Sequence, residues 1–324
     1  MTKSEELAEI VIDRCLEIGI TEFVVCAGSR NSPLVLDILS LGDEVRVWSF
    51  FEERCAGFFA LGRSRALEKP VAIVTTSGTA AAELLPAVIE AHYQAVPILC
   101  ITADRPKSFR GTGAPQAIEQ LNLYGDYVVA SWDIEADFIV AGYDGAGVFW
   151  DDGDRFHLWK DWNGGGPAHL NVCFDEPLLS SERTPRKRSG IRQNSVEWPK
   201  DVAADETLAS SATIPAEGLL VIVGALTPRQ RLLVSKFLNN HWDVLVLADA
   251  TSGLLSPRPQ NQFILGGERI LKQWIPKAVL RIGGVPSFRF WRDLEYLPEI
   301  PVTSVLCGGF SGLSRSSEIL DTLD

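Results

Sequence analysis

Apolar positions in the first hundred residues follow two alternating periods. From Ser4 to Gly19, Leu7, Ile10, Val11, Cys15 and Ile18 recur at helical spacing on one face, and Gly19 suits the left-handed residue that follows a helix. Short apolar runs come next, each closed by a polar turn. Glu22 to Cys26, Val45 to Phe50, Pro70 to Thr75 and Pro97 to Thr102 read as buried strands. Between them lie helical stretches: one opening near Pro33, one over Glu52 to Leu67 and one over Thr79 to Tyr93. Strands alternating with helices at this spacing imply parallel pairing, right-handed crossovers and helices on both sheet faces.

The pattern weakens between Glu135 and Gly166, where glycine, aspartate and tryptophan alternate without a sustained period, as in an irregular flap. His169 to Phe174 reads as a closing strand that ends before Pro177. Ser180 to Ser195 is rich in Arg, Lys, Ser and Pro and reads as a linker. Beyond it, Gly218 to Val223, Val244 to Ala248, Ala278 to Ile282 and Val302 to Leu306 repeat the strand theme, with a helix over Pro228 to Asn239. The expected fold class is α/β in two domains, each a mainly parallel sheet flanked by helices. The first covers residues 1–180, the linker 181–197 and the second domain 198–324.

Composition narrows the function classes. A length of 324 residues accommodates two domains with real cores, and 46% hydrophobic with 22% charged residues is ordinary for a globular protein. A formal net charge of -12 argues against a nucleic-acid partner. The apolar runs are too short to span a bilayer and the N-terminus lacks a signal pattern, so the expected location is cytoplasmic. Six dispersed cysteines without a Cys-x-x-Cys pair read as reduced, buried packing residues. The four histidines show no ligand spacing, so no protein-built metal site is expected.

In a parallel sheet, ligands bind beyond the carboxyl ends of the strands. The first four expected strand ends carry Gly28-Ser29-Arg30, Glu52-Glu53-Arg54, Thr76-Ser77-Gly78-Thr79 and Ala103-Asp104-Arg105-Pro106. Taken singly, Ser77 or Thr79 reads as a helix cap, Asp104 as a turn former, and Glu52 and Glu53 as first-turn acids favoured by the helix dipole. Taken together, they suggest a rim for a small anionic ligand, because arginine forks and free backbone N–H groups select carboxylate or phosphate. Gln116 and Gln120, flanking Ala117 and Ile118, suggest a short helix presenting an amide to the same rim. Gly111-Thr-Gly-Ala-Pro-Gln116 follows no strand and lacks a third glycine, so it is a weak dinucleotide signal.

Ala27-Gly-Ser-Arg-Asn-Ser-Pro-Leu34, Phe51-Glu-Glu-Arg54, Ser77-Gly-Thr-Ala80, Thr102-Ala-Asp-Arg-Pro106 and Gln116-Ala-Ile118 resemble, in order and spacing, the synthase family of the menaquinone pathway that forms 2-succinyl-5-enolpyruvyl-6-hydroxy-3-cyclohexene-1-carboxylate. The resemblance is dense from about Leu7 to Leu178 and looser beyond. It implies a pyrimidine-binding domain followed by a Rossmann-like middle domain of the transhydrogenase type. It also implies thiamine diphosphate with Mg2+ as cofactors, and isochorismate and 2-oxoglutarate as substrates. Glu53 matches the glutamate that hydrogen-bonds the cofactor's pyrimidine nitrogen, and Glu52 keeps a structural role. Ser29, Arg30, Arg105 and Gln116 match substrate-contacting positions. Arg289 roughly matches a basic position of the middle domain, and Thr79 lies near the cofactor.

The sequence departs from the family in two ways. Ala27 replaces the usual proline before Gly-Ser-Arg, and no Gly-Asp-(Gly/Leu)-Ser motif for the magnesium-bound diphosphate occurs. The resemblance therefore implies a homodimer or higher homo-oligomer whose diphosphate end is held by a further module, such as a separate subunit, without which this chain is inactive. Two alternatives stay open. One is a non-catalytic binding or assembly protein derived from the family, and the other is an acetolactate-synthase-like decarboxylating enzyme.

Overall fold

The computed structural model describes residues 1–135, 149–151, 154–156, 162, 164–182, 217–255, 262–306 and 308–320. Contacts divide the chain into two compact units, Met1–Pro199 and Lys200–Asp324. Most of the expected linker and most of the expected flap lie outside the described residues.

The first unit opens with α1 (Lys3–Glu17), whose N-terminus is closed by a reciprocal capping box between Thr2 and Glu5. There follow β1 (Glu22–Val25), α2 (Ser32–Ser40), β2 (Arg46–Ser49), α3 (Glu53–Leu67), β3 (Val71–Thr75), α4 (Thr79–Ala82), α5 (Leu85–Tyr93), β4 (Ile98–Asp104) and β5 (Ala130–Glu135). A two-stranded antiparallel ribbon, β6 (Phe149–Asp151) and β7 (Asp154–Phe156), precedes β8 (Ala168–Cys173). Six strands form one sheet in the order β2-β1-β3-β4-β8-β5, and every pairing is parallel. All six carboxyl ends therefore point to one rim.

Alternation along the strands sorts side chains to the two faces. Phe23, Val25, Ala72, Val74, Leu99 and Ile101 pack with Leu7, Val11, Leu34 and Ile38 of α1 and α2. Val24, Val71, Ile73, Ile98 and Cys100 pack with Ala56, Ala60, Val88 and Ala91 of α3 and α5. Small residues on α3 let the helices approach closely. A Cβ added to Gly57 would lie 2.8 Å from the Ala87 Cβ, so a larger residue there would force α3 off α5.

Several expectations need correction. Val45 to Phe50 yields β2, but this is an edge strand, with Arg46 and Ser49 exposed rather than buried. Thr79 to Tyr93 is two helices rather than one, because Pro86 has no N–H to bond the Ala82 carbonyl. Gln116 to Gln120 is not helical: only Gln116 lies in a turn, and it adopts a left-handed φ of 57°. His169 to Phe174 gives β8, but β5 lies outside it at the sheet edge. Cys15, Cys26, Cys100 and Cys173 are free and buried, whereas Cys55 is exposed and Cys307 lies outside the described residues.

The second unit holds β9 (Leu219–Val223), α6 (Pro228–Asn240), β10 (Leu245–Ala248), β11 (Ala278–Ile282), α7 (Arg289–Asp293), β12 (Val302–Val305) and β13 (Glu318–Leu320). Its sheet, ordered β10-β9-β11-β12-β13, is again wholly parallel. Val221, Val223 and Ile282 face Val234 and Leu238 of α6, while Leu220, Ile222 and Val279 face Phe290, Trp291 and Leu294. Both units are thus α/β with parallel sheets flanked by helices. Among the described residues, no helix is long and apolar enough to cross a membrane.

Candidate active site

The junction between β2 and α3 separates two adjacent carboxylates by one residue of helix. Glu52 is the N-cap in extended conformation, and its carboxylate accepts from the Cys55 N–H at 2.6 Å. The Cys55 thiol and N–H together hold the Glu52 carboxyl below its usual range. Glu53 is the first helical residue and is half-buried. Among the described residues its carboxylate makes no hydrogen bond or ion pair. Burial pushes the thiol of Cys26, just after β1, up to about 12, and the charges of Glu53 and Glu52 add to that.

The loop after β1 is shaped by Asn31, which is fully buried. Its Oδ1 accepts from the Gly28 N–H at 2.8 Å and its Nδ2 donates to the Cys26 carbonyl at 2.9 Å. Gly28 is needed for close approach. A Cβ there would sit 2.6 Å from the Cβ of Thr76, in the loop after β3. The turn leaves Ser29 exposed. Arg30 is half-buried, donating through Nη1 to the Phe174 carbonyl at 3.1 Å and lying 3.3 Å from the Glu176 carboxylate.

After β3, Gly78 adopts φ 81° and ψ -141°, a conformation open essentially to glycine alone. It is the N-cap of α4, which has no side-chain cap bond, so the capping role expected for Ser77 or Thr79 is not what the structure shows. Ser77 is buried and Thr79 is exposed. Exposed Gln116 reaches back to this loop, its Nε2 donating to the Ser77 carbonyl at 3.2 Å. Buried Gln120 accepts the Gly78 N–H at 2.8 Å.

The loop after β4 presents Arg105. Its backbone N–H goes to the Asp104 Oδ1 at 2.8 Å and its Nε to the Pro115 carbonyl at 2.8 Å, with the guanidinium 5.7 Å from the Phe109 ring centroid. Its two terminal Nη groups have no partner among the described residues. They form a cationic fork suited to a carboxylate.

Beneath this rim lies a buried polar network that local sequence patterns do not reveal. Asn171 stands at its centre with all four amide positions used. Its Nδ2 donates to Asp104 Oδ2 at 3.0 Å and Asp133 Oδ1 at 2.9 Å, while its Oδ1 accepts from Thr102 Oγ1 at 2.9 Å and Gln120 Nε2 at 2.8 Å. Arg110 binds Asp133 through two bonds of 2.9 and 2.6 Å. Burial raises Asp104, while at Asp133 the bonds from Arg110 and Asn171 outweigh burial and hold the carboxyl low. His169 lies 2.8 Å from Thr102 Oγ1, and burial lowers its pKa to about 4, so it is neutral at pH 7. Since the Thr102 hydroxyl already donates to Asn171, the Nε2 of His169 must be the donor to it. The available signal was a polar residue interrupting each apolar run, Thr102 in β4 and Asn171 in β8.

Of the expected site residues, the fold brings Ser29, Arg30, Glu53, Thr79, Arg105 and Gln116 to one rim of the first unit. Arg289 belongs to the second unit. There it is exposed at the start of α7, with its Nε 2.9 Å from Asp293 Oδ1 four residues on. No group of three or more His, Cys, Asp or Glu side chains among the described residues could hold a metal ion.

Glu53 is a half-buried carboxylate whose oxygens remain unspent, while its neighbour Glu52 is consumed by the helix end. Residues 5–123 match the family model for the N-terminal TPP binding domain of thiamine pyrophosphate enzymes. The chain is 38% identical to 2-succinyl-5-enolpyruvyl-6-hydroxy-3-cyclohexene-1-carboxylate synthase of Akkermansia muciniphila, over 99% of this chain and 56% of that protein. It is 37% identical to the synthase of the same name from Bdellovibrio bacteriovorus, over 98% of this chain and 58% of that protein. The chain is thus similar along nearly its whole length to part of these synthases, and its residues 5–123 match the thiamine pyrophosphate enzyme N-terminal domain. It spans little more than half the length of these curated relatives. The match to the synthase from Geobacillus thermodenitrificans, at 33% identity, covers 85% of this chain and 48% of that protein.

Proposed function

We propose that the chain carries the pyrimidine-binding and middle domains of a thiamine diphosphate-dependent synthase that joins decarboxylated 2-oxoglutarate to isochorismate. Residues 1–180 form the first domain and 198–324 the second. The single observation that carries this reading is the division of labour between the adjacent acids, with Glu52 spent on the helix end and Glu53 held half-buried without a partner.

When bound, thiamine diphosphate supplies the electron sink that decarboxylation of a 2-oxo acid requires. Glu53 shares a proton with the ring nitrogen of the cofactor's pyrimidine, a task that needs a carboxylate shielded from bulk water. The free Nη fork of Arg105 binds a substrate carboxylate. Arg30 contributes a second cation, and the amide of Gln116 and the hydroxyl of Ser29 orient substrate hydroxyl and carboxylate groups. Each charge-assisted hydrogen bond of this kind contributes about 1.5–3 kcal/mol. Thr79 lines the cofactor side of the rim, and Arg289 adds a cation from the middle domain. A diphosphate-binding module would hold the diphosphate and Mg2+ against this rim, in an assembly of at least two copies in the cytoplasm.

Two experiments test the reading. Calorimetric titration of thiamine diphosphate with Mg2+ into the chain alone should show weak binding, and tight binding once the diphosphate-binding module is added. Tight binding by the chain alone would contradict the shared-cofactor arrangement. In the assembled enzyme, isochorismate should be consumed with 2-oxoglutarate. Consumption with pyruvate instead would favour the acetolactate-type alternative, and binding of isochorismate without turnover would favour a non-catalytic protein.

A further inference from the structure

The carbonyl of Ser77 and the N–H of Gly78 belong to one peptide group, and two glutamine side chains hold its two ends. Gln116 Nε2 donates to the Ser77 carbonyl at 3.2 Å, and Gln120 Oε1 accepts from the Gly78 N–H at 2.8 Å. The peptide precedes a residue at φ 81° and ψ -141°, and a Cβ on Gly78 would come within 3.0 Å of the Gln116 side chain. Rotation of this peptide would therefore break both glutamine hydrogen bonds.

The two glutamines differ in every other respect. Gln120 has no exposed surface, and its remaining Nε2 hydrogens go to the Ala103 carbonyl at 3.3 Å and Asn171 Oδ1 at 2.8 Å. Asn171 in turn donates to Asp104, whose other oxygen accepts the backbone N–H of Arg105. An unbroken chain of hydrogen bonds thus runs from the Gly78 peptide to the Arg105 backbone, crossing from the loop after β3 to the loop after β4. Gln116 is exposed, and its Oε1 and second Nε2 hydrogen have no partner among the described residues.

We infer that Gln120 is a positioning residue for the site, locking the Ser77–Gly78 peptide in register with Arg105, while Gln116 is the exposed half of the same clamp, through which an anionic ligand at the rim is sensed by the peptide. The ligand class rests on the proposed synthase reading. The internal clamp rests on the hydrogen bonds alone. Gln120→Glu keeps an acceptor for Gly78 but removes both donors and places a carboxylate against Asn171 Oδ1. Gln120→Met keeps the volume and removes all three bonds.

The test combines amide hydrogen exchange on the 324-residue chain with kinetics of the assembled enzyme. Exchange at Gly78 should rise about tenfold or more in Gln120→Met and stay near wild type in Gln120→Glu. In the assembly, both variants should raise KM for the Arg105-bound substrate about tenfold or more with kcat changed by less than about threefold, a split that loss of folded protein would not produce. Unchanged Gly78 exchange in Gln120→Met, or a fall in kcat alone in either variant, would overturn the inference. If wild-type assembly turns over neither substrate, the synthase reading fails. The exchange contrast between the two variants then decides the clamp, and its absence overturns it. Should Gln120→Met not fold, Gln116→Ala tests the exposed half by the same exchange measurement at Gly78, where an unchanged rate counts against the clamp.

Discussion

The two units solve the same packing problem and put their polar rims to different uses. In each, the first four strands in chain order lie as second, first, third, fourth across a parallel sheet, which leaves a crevice between the first and third strands at the carboxyl rim. In the second unit that crevice is filled by backbone. A Cβ on Gly224 would lie 1.9 Å from the Gly284 carbonyl oxygen, and the Gly284 N–H bonds the Ala225 carbonyl at 3.0 Å. The rim carboxylate there, Asp249, is consumed by Ser287 and Thr251. Burial alone would raise it, but those hydrogen bonds bring it to about 2.

In the first unit the corresponding loops touch at Gly28 and Thr76, and the neighbouring ionic side chains retain unspent atoms. Glu53 has both oxygens available among the described residues, and Arg105 has both Nη groups. The two rims differ in whether their charged groups still have bonds to make. Fold class alone does not distinguish them.

The sharpest way to break this comparison is to remove the support under the first unit's rim. Asn171→Leu would leave Asp104, Asp133 and Gln120 without their shared partner, and urea unfolding should show a loss of about 3 kcal/mol or more. A loss below about 1 kcal/mol would mean that water or relaxation replaces the network.

The acid limb of stability gives the next largest effect. The folded pKa of His169 is about 4, below its unfolded value near 6.5, so between these pH values the unfolded chain binds the extra proton and stability falls as pH falls. The window corresponds to about 3 kcal/mol at most. His169→Gln, which keeps a donor for Thr102, should flatten that part of the stability profile relative to wild type. An identical slope in both proteins would refute the assignment.

Asp249→Ala should cost the second unit about 1–3 kcal/mol, read as a shift of its own unfolding transition, and leave turnover of the assembled enzyme within about twofold. A large loss of turnover would show that the second rim is reactive too.

Much of this architecture is legible from sequence because apolar runs and helical faces repeat cleanly. Phe23, Val24 and Val25, or Leu220, Val221 and Ile222, are buried on both faces and announce central parallel strands. β2 misleads for the same reason: Val47 and Trp48 are apolar, yet position at the sheet edge is a tertiary property. Ala130–Glu135 escapes recognition because it too is an edge strand, with polar Ser131, Asp133 and Glu135 directed at the network or solvent. The exposed chemistry of the site, Ser29, Arg30, Glu53 and Arg105, stands in short motifs at strand ends. Its support is only partly so: Asn31 sits in the same Gly28-Ser29-Arg30 turn, whereas Gln120, Asp133 and Asn171 come from separate segments that only the sheet order brings together. Residue pairs 50 or more positions apart, such as Asn171 with Gln120, leave no local pattern.

The central claim concerns two neighbouring acids with different assignments, and turnover of isochorismate with 2-oxoglutarate by Glu52→Gln and Glu53→Gln in the assembled enzyme tests it most directly. The account predicts a loss of about 10²–10⁴-fold in kcat for Glu53→Gln and a change within about threefold for Glu52→Gln. Comparable losses in both variants, or wild-type turnover in Glu53→Gln, would contradict it.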